Sequence, residues 1–393
     1  MMIELLPFVL NIAIAYHEPN QADWLRKIET ESLVSLELAS RRYVSAGKPD
    51  LWVIGATHIA EENFYAQVTS LLEDLDVVLY ESVRPTGAKP PSNADDKIAV
   101  QSTKASMEFV ADICKQTAEE IEEIPSTLDA LIVDSALLDR RFSGWLDDAS
   151  VDAWGRPFVL QMHKGQKSFS IWSFGSDGKV GGNSTAQDLQ VTRTVRFADP
   201  FADGVIQDAD KSSLVQQDLV ASLNLEWQID ALPYEDPNWF CSDLTAGEIQ
   251  EKLIQHNVDA SLVDSLTGES FALQVAKNMM KLIPDLGETA TKEMQEKAKL
   301  LLIEMLSSSG AKDMSSAINP ELMEIITIAQ NTEVLKDVET TINIIHDIKT
   351  IGIVYGVGRM EDFDRRLGEL FNYEPVEEVW FNSISVSRGI LAE

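Results

Sequence analysis

The chain has 393 residues, too many for one ordinary core, so two or three domains are expected. Hydrophobic residues make up 45% of it, with eight Trp and fourteen Phe, which is enough to pack cores and excludes global disorder. Lys and Arg number 32 against 64 Asp and Glu, and the formal net charge of −32 repels phosphate backbones and anionic lipid. Nucleic-acid binding is therefore not expected. The same field favours cations, although acidity also serves solubility or a saline habitat. The two cysteines, Cys114 and Cys241, are too far apart for a CxxC motif. No run of 18 apolar residues occurs, so no transmembrane span is predicted.

Leu5 to Ala15 is an apolar run that closes on Ala13-Ile14-Ala15 like a signal-peptide cleavage site, yet Glu4 stands where a positive charge belongs. Export to the periplasm or medium and a cytoplasmic location both stay open, with a first strand or a buried helix start as the alternative for residues 1–20. Residues 22–46 read as an acidic amphipathic helix. Leu51 to Gly55 is a short apolar strand, and Glu61 to Leu75 carries Phe64, Val68, Leu71, Leu72 and Leu75 at helical spacing. Asp76 to Glu81 is a second buried strand. Strand, helix and strand in so short a stretch predict a βαβ unit whose working edge lies at the carboxyl ends, by Gly55–His58 and Glu81.

Pro85 to Asp96 then reads as a Pro-rich linker and residues 102–123 as a helix. Asp152 to Asp188 has a different texture, rich in Gly, aromatics and turns, with strand-like runs at Phe158–Met162 and Ser168–Phe174. Helical texture returns near residue 212, with acidic helices expected at 247–256, 268–283, 287–308 and 320–346. Ile351 to Tyr355 is a final buried strand ahead of Gly356, and Val376 to Val386 alternates like an edge strand. The expected fold class is α/β, or α+β overall. A scaffold of residues 21–100 and 201–393 is interrupted by a small α+β domain at 101–200, a long helix plus a short antiparallel sheet.

Val53-Ile54-Gly55-Ala56-Thr57-His58, the following helix and Val77-Val78-Leu79-Tyr80-Glu81 resemble the start of the TraB/GumN family, related to the Tiki proteases. Leu219 to Leu244, ending in an Asp-Leu helix start, and Asn331 to Leu367 continue the resemblance. It implies a mixed sheet with many helices and a divalent transition metal held by His58 and Glu81 that activates water for hydrolysis. The family's second Gly-x-x-His reads Gly356-Val357-Gly358-Arg359 here, and its Arg-Asn pair reads Gln330-Asn331. Arginine has no lone pair for a metal, but its cation can replace the metal's charge beside Glu81. The favoured expectation is a degenerate site built from His58, Glu81 and Arg359. The bland alternative is that His58 caps a loop and Glu81 pairs with Arg84.

Asp152-Ala153-Trp154-Gly155-Arg156-Pro157-Phe158 resembles the signature of type II secretion major pseudopilins (GspG). Ile171 to Gly178, Gly181-Gly182, Gln187-Asp188-Leu189 and the lead-in Ile124 to Leu131 agree with it. Trp154 and Phe158 are expected to plug a small core. The resemblance implies calcium on the Phe174–Asp188 loop, with Asp177 and Asp188 as side-chain ligands and Phe174 lending its carbonyl. A plain Asp-Gly hairpin turn is the alternative. No prepilin leader or long apolar helix precedes the motif, so a borrowed interaction module with a protein or peptide partner is expected. His163, between the two strand-like runs beside Lys164-Gly165, reads as a solvated hairpin residue, His256 and His346 have no paired ligand at i+4, and there is no G-x-S-x-G, P-loop or dinucleotide fingerprint.

Overall fold

The computed structural model describes residues 24–163, 165, 167–197, 220, 223–256, 291–307 and 320–391. The architecture is mixed α/β, as the sequence predicts. The apolar segment at residues 1–20 and the helix expected at 268–283 lie outside the described residues.

Residues 22–46 are not a helix. They form a hairpin of β1 (Leu25–Glu29) and β2 (Leu33–Val44), turned at Thr30, whose Oγ1 accepts the Leu33 N–H at 2.9 Å. Val34, Leu36 and Leu38 are buried at alternate positions of β2, a period of two inside Leu- and Glu-rich sequence that favours helix by composition. Pairing on both edges settles the outcome. β12 (Glu374–Ser387) runs antiparallel along the whole of one edge of β2, while β1 and then β3 (Asp50–Ala56) share the other.

The rest of the large sheet is parallel, while β4 (Ile59–Ala60) and β9 (Glu226–Trp227) pair apart from it ahead of the short helix α5 (Gln228–Ala231). β11 (Thr350–Gly356) lies between β3 and β5 (Val77–Tyr80), and β10 (Trp239–Cys241) pairs with the outer edge of β5. The predicted βαβ unit exists with α1 (Glu62–Leu72) as its crossover, but its two strands are not neighbours, because β11 is inserted between them. Burial on both faces explains the unbroken apolar runs. On one face Phe64, Val68 and Leu72 of α1 meet Ile54, Val78, Tyr80 and Val354. On the other, Val334, Leu335 and Val338 of α8 (Pro320–Ile344) and Phe363 and Leu367 of α9 (Met360–Phe371) meet Val53, Leu79, Ile351 and Ile353. Between α6 (Ala246–Gln255) and α8, the chain contributes α7 (Lys292–Leu306), which covers Leu36 and Ile384 through Leu302 and Ile303.

Residues 88–195 enclose a separate apolar cluster. Met107, Val110, Ile113 and Cys114 of α2 (Asp96–Glu120) pack on Phe169, Ile171, Leu189 and Val191. These last four come from β7 (Ser168–Ser173) and β8 (Leu189–Thr194), which with β6 (Val159–Met162) form a three-stranded antiparallel sheet distinct from the large one. Two short helices, α3 (Leu128–Ser135) and α4 (Arg141–Ala149), complete this module. Phe158 is buried in its core, whereas Trp154 is half-buried and Ala153 takes the inward position. The family-like turn is organised instead by buried Asp152. Its Oδ1 accepts the N–H groups of Trp154 and Arg156 at 3.0 and 2.9 Å, and its Oδ2 accepts the Ser173 hydroxyl at 2.8 Å.

Gly352 in β11 lies directly under the end of α1 and the turn that follows it. A Cβ there would lie 2.7 Å from Leu72 Cδ2 and 3.0 Å from Leu75 Cδ1. Gly352→Val is expected to lower stability by about 1–3 kcal/mol in urea unfolding, the usual range for overpacking a filled core.

Candidate functional site

The carboxyl ends of β5, β10 and β11 converge, and a buried polar cluster sits on them. This is the edge where open α/β sheets carry their sites. β5 delivers Glu81, β10 delivers Ser242 and Asp243, and β11 delivers Gly356 followed by a tight turn to Arg359. Helix α8 lowers Gln330 and Asn331 onto the same place, both fully buried.

Glu81 and Arg359 form an ion pair at 2.6 Å, their side chains 3% and 0% exposed. The other Glu81 oxygen accepts the Gly356 N–H at 2.6 Å, which fixes the carboxylate against the end of β11. The Arg359 guanidinium also lies over the Tyr355 ring, 5.7 Å from its centroid. Tyr355 in turn donates its hydroxyl to the Ser242 carbonyl, and Ser242 donates to Asp337 at 2.8 Å. Asn331 donates to the Arg359 carbonyl at 3.2 Å and to Asp362 at 3.0 Å, tying α8 to the start of α9. Arg84 does not pair with Glu81. It bonds Asp148 of α4 at 2.9 Å instead.

Asp243 adds a second buried carboxylate that motif reading passed over. It was legible only as the acidic residue between a strand and the Leu244-Thr245 helix start. Its Oδ1 accepts Gln330 Nε2 at 2.7 Å and the Leu244 N–H at 2.6 Å. Burial, reinforced by the negative Glu81, pushes its carboxyl up to about 6, with Arg359 opposing the rise. Several atoms of this cluster are buried without a hydrogen bond: Asp243 Oδ2, Gln330 Oε1, Asn331 Oδ1 and the Arg359 nitrogens.

His58 follows β3 on the same side of the sheet and is half-buried. Its carbonyl accepts the Gln228 N–H at 2.8 Å. The donor set around Glu81 does not fit a divalent ion. One carboxylate oxygen holds a backbone N–H, the other faces a guanidinium, and that cation repels a second positive charge. Among the described residues no three His, Cys, Asp or Glu side chains are grouped to hold a metal.

The second candidate site lies on the loop between β7 and β8. Gly175 and Gly182 have φ of +60 and +98, and a Cβ on either would strike the backbone at 185–186, so only glycine lets the loop fold back on itself. Asp177 Oδ1 accepts the Lys179 N–H at 3.0 Å, and Asp188 Oδ2 accepts the Gly181 N–H at 2.9 Å. Asp188 Oδ1 is buried with no partner, which suits a cation. Phe174 is half-buried at the start of the loop. Arg156 crosses beneath it and donates to the Gly175 and Ser176 carbonyls at 3.2 and 2.8 Å.

Residues 92–192 match the family of type II secretion system (T2SS), protein G. The match begins four residues before α2 and ends within β8, so it spans the module with its own sheet. No curated protein matches the chain. No solved structure matches it either.

Cys114 and Cys241 are both free, and burial pushes each thiol up to about 12. His163 Nε2 contacts Ser170 Oγ at 2.8 Å within the module sheet, and His256 and His346 are exposed.

Two outcomes follow from the buried cluster. Arg359→Met is expected to destabilise the fold by about 3–5 kcal/mol, because it strands a buried carboxylate, whereas the double variant Glu81→Gln/Arg359→Met should cost well below the sum. Urea titration of the four proteins measures both. Asp243 holds its proton in the folded state from its ordinary value of 3.8 up to about 6, so folded protein binds more protons than unfolded across that window. Stability should therefore fall as pH rises through the window, and Asp243→Asn should flatten that fall in unfolding curves collected from acid to neutral pH.

Proposed function

We propose that this chain is a TraB/GumN-like scaffold whose strand-end crevice has given up metal chemistry, and that it works as a binding or interaction protein through its inserted GspG-like module. The observation that carries the reading is the buried Arg359–Glu81 ion pair. A guanidinium stands where a metal-using relative of the resemblance would place an imidazole, and it satisfies the charge of Glu81 without any ion. The order of the segments supports the scaffold reading: a Gly-x-x-His past β3, a Glu past β5, an Asp-Leu helix start past β10 and a Gly-x-x-Arg past β11. The acidic surface and the module's match to a secretion-system protein favour a protein or peptide partner over nucleic acid.

Calcium belongs to this reading as a ligand of the module. Asp188 and Asp177 would hold it, with the Phe174 carbonyl contributing, and the unpartnered oxygen of Asp188 is the feature that asks for it. Bound there, calcium would supply fixed positive charge that stiffens a glycine-rich loop. The metal-dependent hydrolase built on His58 and Glu81 is the competing reading.

Metal analysis of protein purified without chelator separates the two. The interaction-protein reading expects no stoichiometric zinc, manganese or cobalt in the natural sequence, and uptake only after Arg359→His. A tightly bound transition metal on the unmodified chain would overturn it in favour of the hydrolase. For calcium, millimolar concentrations should raise the melting temperature by mass action on the folded state, and Asp177→Ala or Asp188→Ala should abolish the rise. An unchanged melting temperature in the natural sequence rejects the calcium site.

A further inference from the structure

The four residues that follow β5 are all buried, and they face two ways. Glu81 points to β11 and Arg359. Ser82, the next residue, accepts Arg141 Nη1 at 2.8 Å through its hydroxyl, and its carbonyl accepts the Cys241 thiol at 3.1 Å. Arg84 bonds Asp148 at 2.9 Å and is held at its backbone by Leu244 and Ala246, at 3.1 and 2.8 Å. Arg141 and Asp148 belong to α4, inside the segment that matches the secretion-system family.

Arg141 is 4% exposed and forked against Asp139, with its remaining arm on Ser82. Its charge is satisfied inside the module, so the bond to Ser82 is spent on position. Trp145, one turn along α4, is also fully buried in the module core, against which Cys241 of β10 packs. The module is therefore not strung on the scaffold by a loose linker. One of its helices grips the short segment that carries Glu81.

We infer that α4 is a positioning element for the strand-end crevice. Arg141 and Asp148 hold residues 82–84, and residues 82–84 hold the Glu81 carboxylate where it meets Gly356 and Arg359. A force or ligand acting on the module is then transmitted to the Glu81–Arg359 pair through one residue of backbone. The linkage is independent of whether the crevice binds metal, so it stands or falls separately from the function proposed above.

The Gly356 amide is a built-in reporter, because it donates directly to Glu81. Residue-resolved amide hydrogen exchange on the full chain should show it. Ser82→Ala and Arg141→Gln are each expected to speed Gly356 exchange by roughly tenfold, the scale of one lost hydrogen bond, while the Ile351 amide at the other end of β11 is unmoved. Arg193→Gln breaks an ion pair with Asp112 and Glu108 that lies wholly within the module, and it should leave Gly356 unchanged. Ser82→Ala removes a single oxygen, so it keeps the test valid should Arg141→Gln fail to fold. Gly356 exchange that is unaffected by Ser82→Ala overturns the inference. So does an equal acceleration by Arg193→Gln, which would mean general loosening.

Discussion

A single buried ion pair organises the strand-end crevice of this molecule. Glu81 and Arg359 come from the ends of adjacent parallel strands, and neither has water to fall back on. Charges in that position are tolerated only when paired and held, since desolvation of a lone carboxylate or guanidinium costs several kcal/mol. The surroundings read as consequences of that constraint. The Gly356 amide takes one carboxylate oxygen, Tyr355 offers its ring face to the cation, and Asn331 pins the backbone of Arg359. Asp243 enters as a third charge in the same small volume and is the one that yields, by holding its proton toward neutral pH.

Much of this was legible in the sequence, and the failures have physical causes. β3, β5 and β11 were found because strands buried on both faces are apolar without interruption. Glu81 and Arg359 are singled out by the TraB/GumN resemblance, which places a Glu after the second strand and a Gly-x-x-His, here Gly-x-x-Arg, after the last. Residues 22–46 went wrong because leucine, glutamate and alanine favour helix locally, while the deciding term was pairing with β12, some 340 positions away. Nothing local could report that β11 separates β3 from β5. Trp154 is expected in the core beside Phe158, but the turn at Asp152 points small Ala153 inward and leaves the indole half-buried. Asp243 is legible only as part of the Asp-Leu helix start, and nothing local shows that its carboxylate is buried beside Glu81 and Arg359.

Arginine recurs at the polar junctions of the two candidate sites and of the module with the scaffold. Arg359 stands at Glu81, and Arg156 threads under the loop that the pseudopilin resemblance assigns to calcium. Arg141 and Arg84 join the module to the scaffold. In a chain with twice as many acidic as basic side chains, guanidinium groups have been drawn into the interior, where a planar fork can meet carbonyls and carboxylates at fixed geometry.

The placement of β11 also constrains how the chain is made. The middle strand of the parallel sheet is drawn from residues 350–356, and the strand that seals β2 comes later still. During synthesis β3 and β5 emerge with an apolar gap between them that nothing fills until residues 350–356 have followed. The module at 88–195 has no such debt, for its helix and hairpin find their partners close by in sequence. Nascent chains should thus carry a finished module on an unfinished sheet, with two aggregation-prone strand edges exposed until β11 is made.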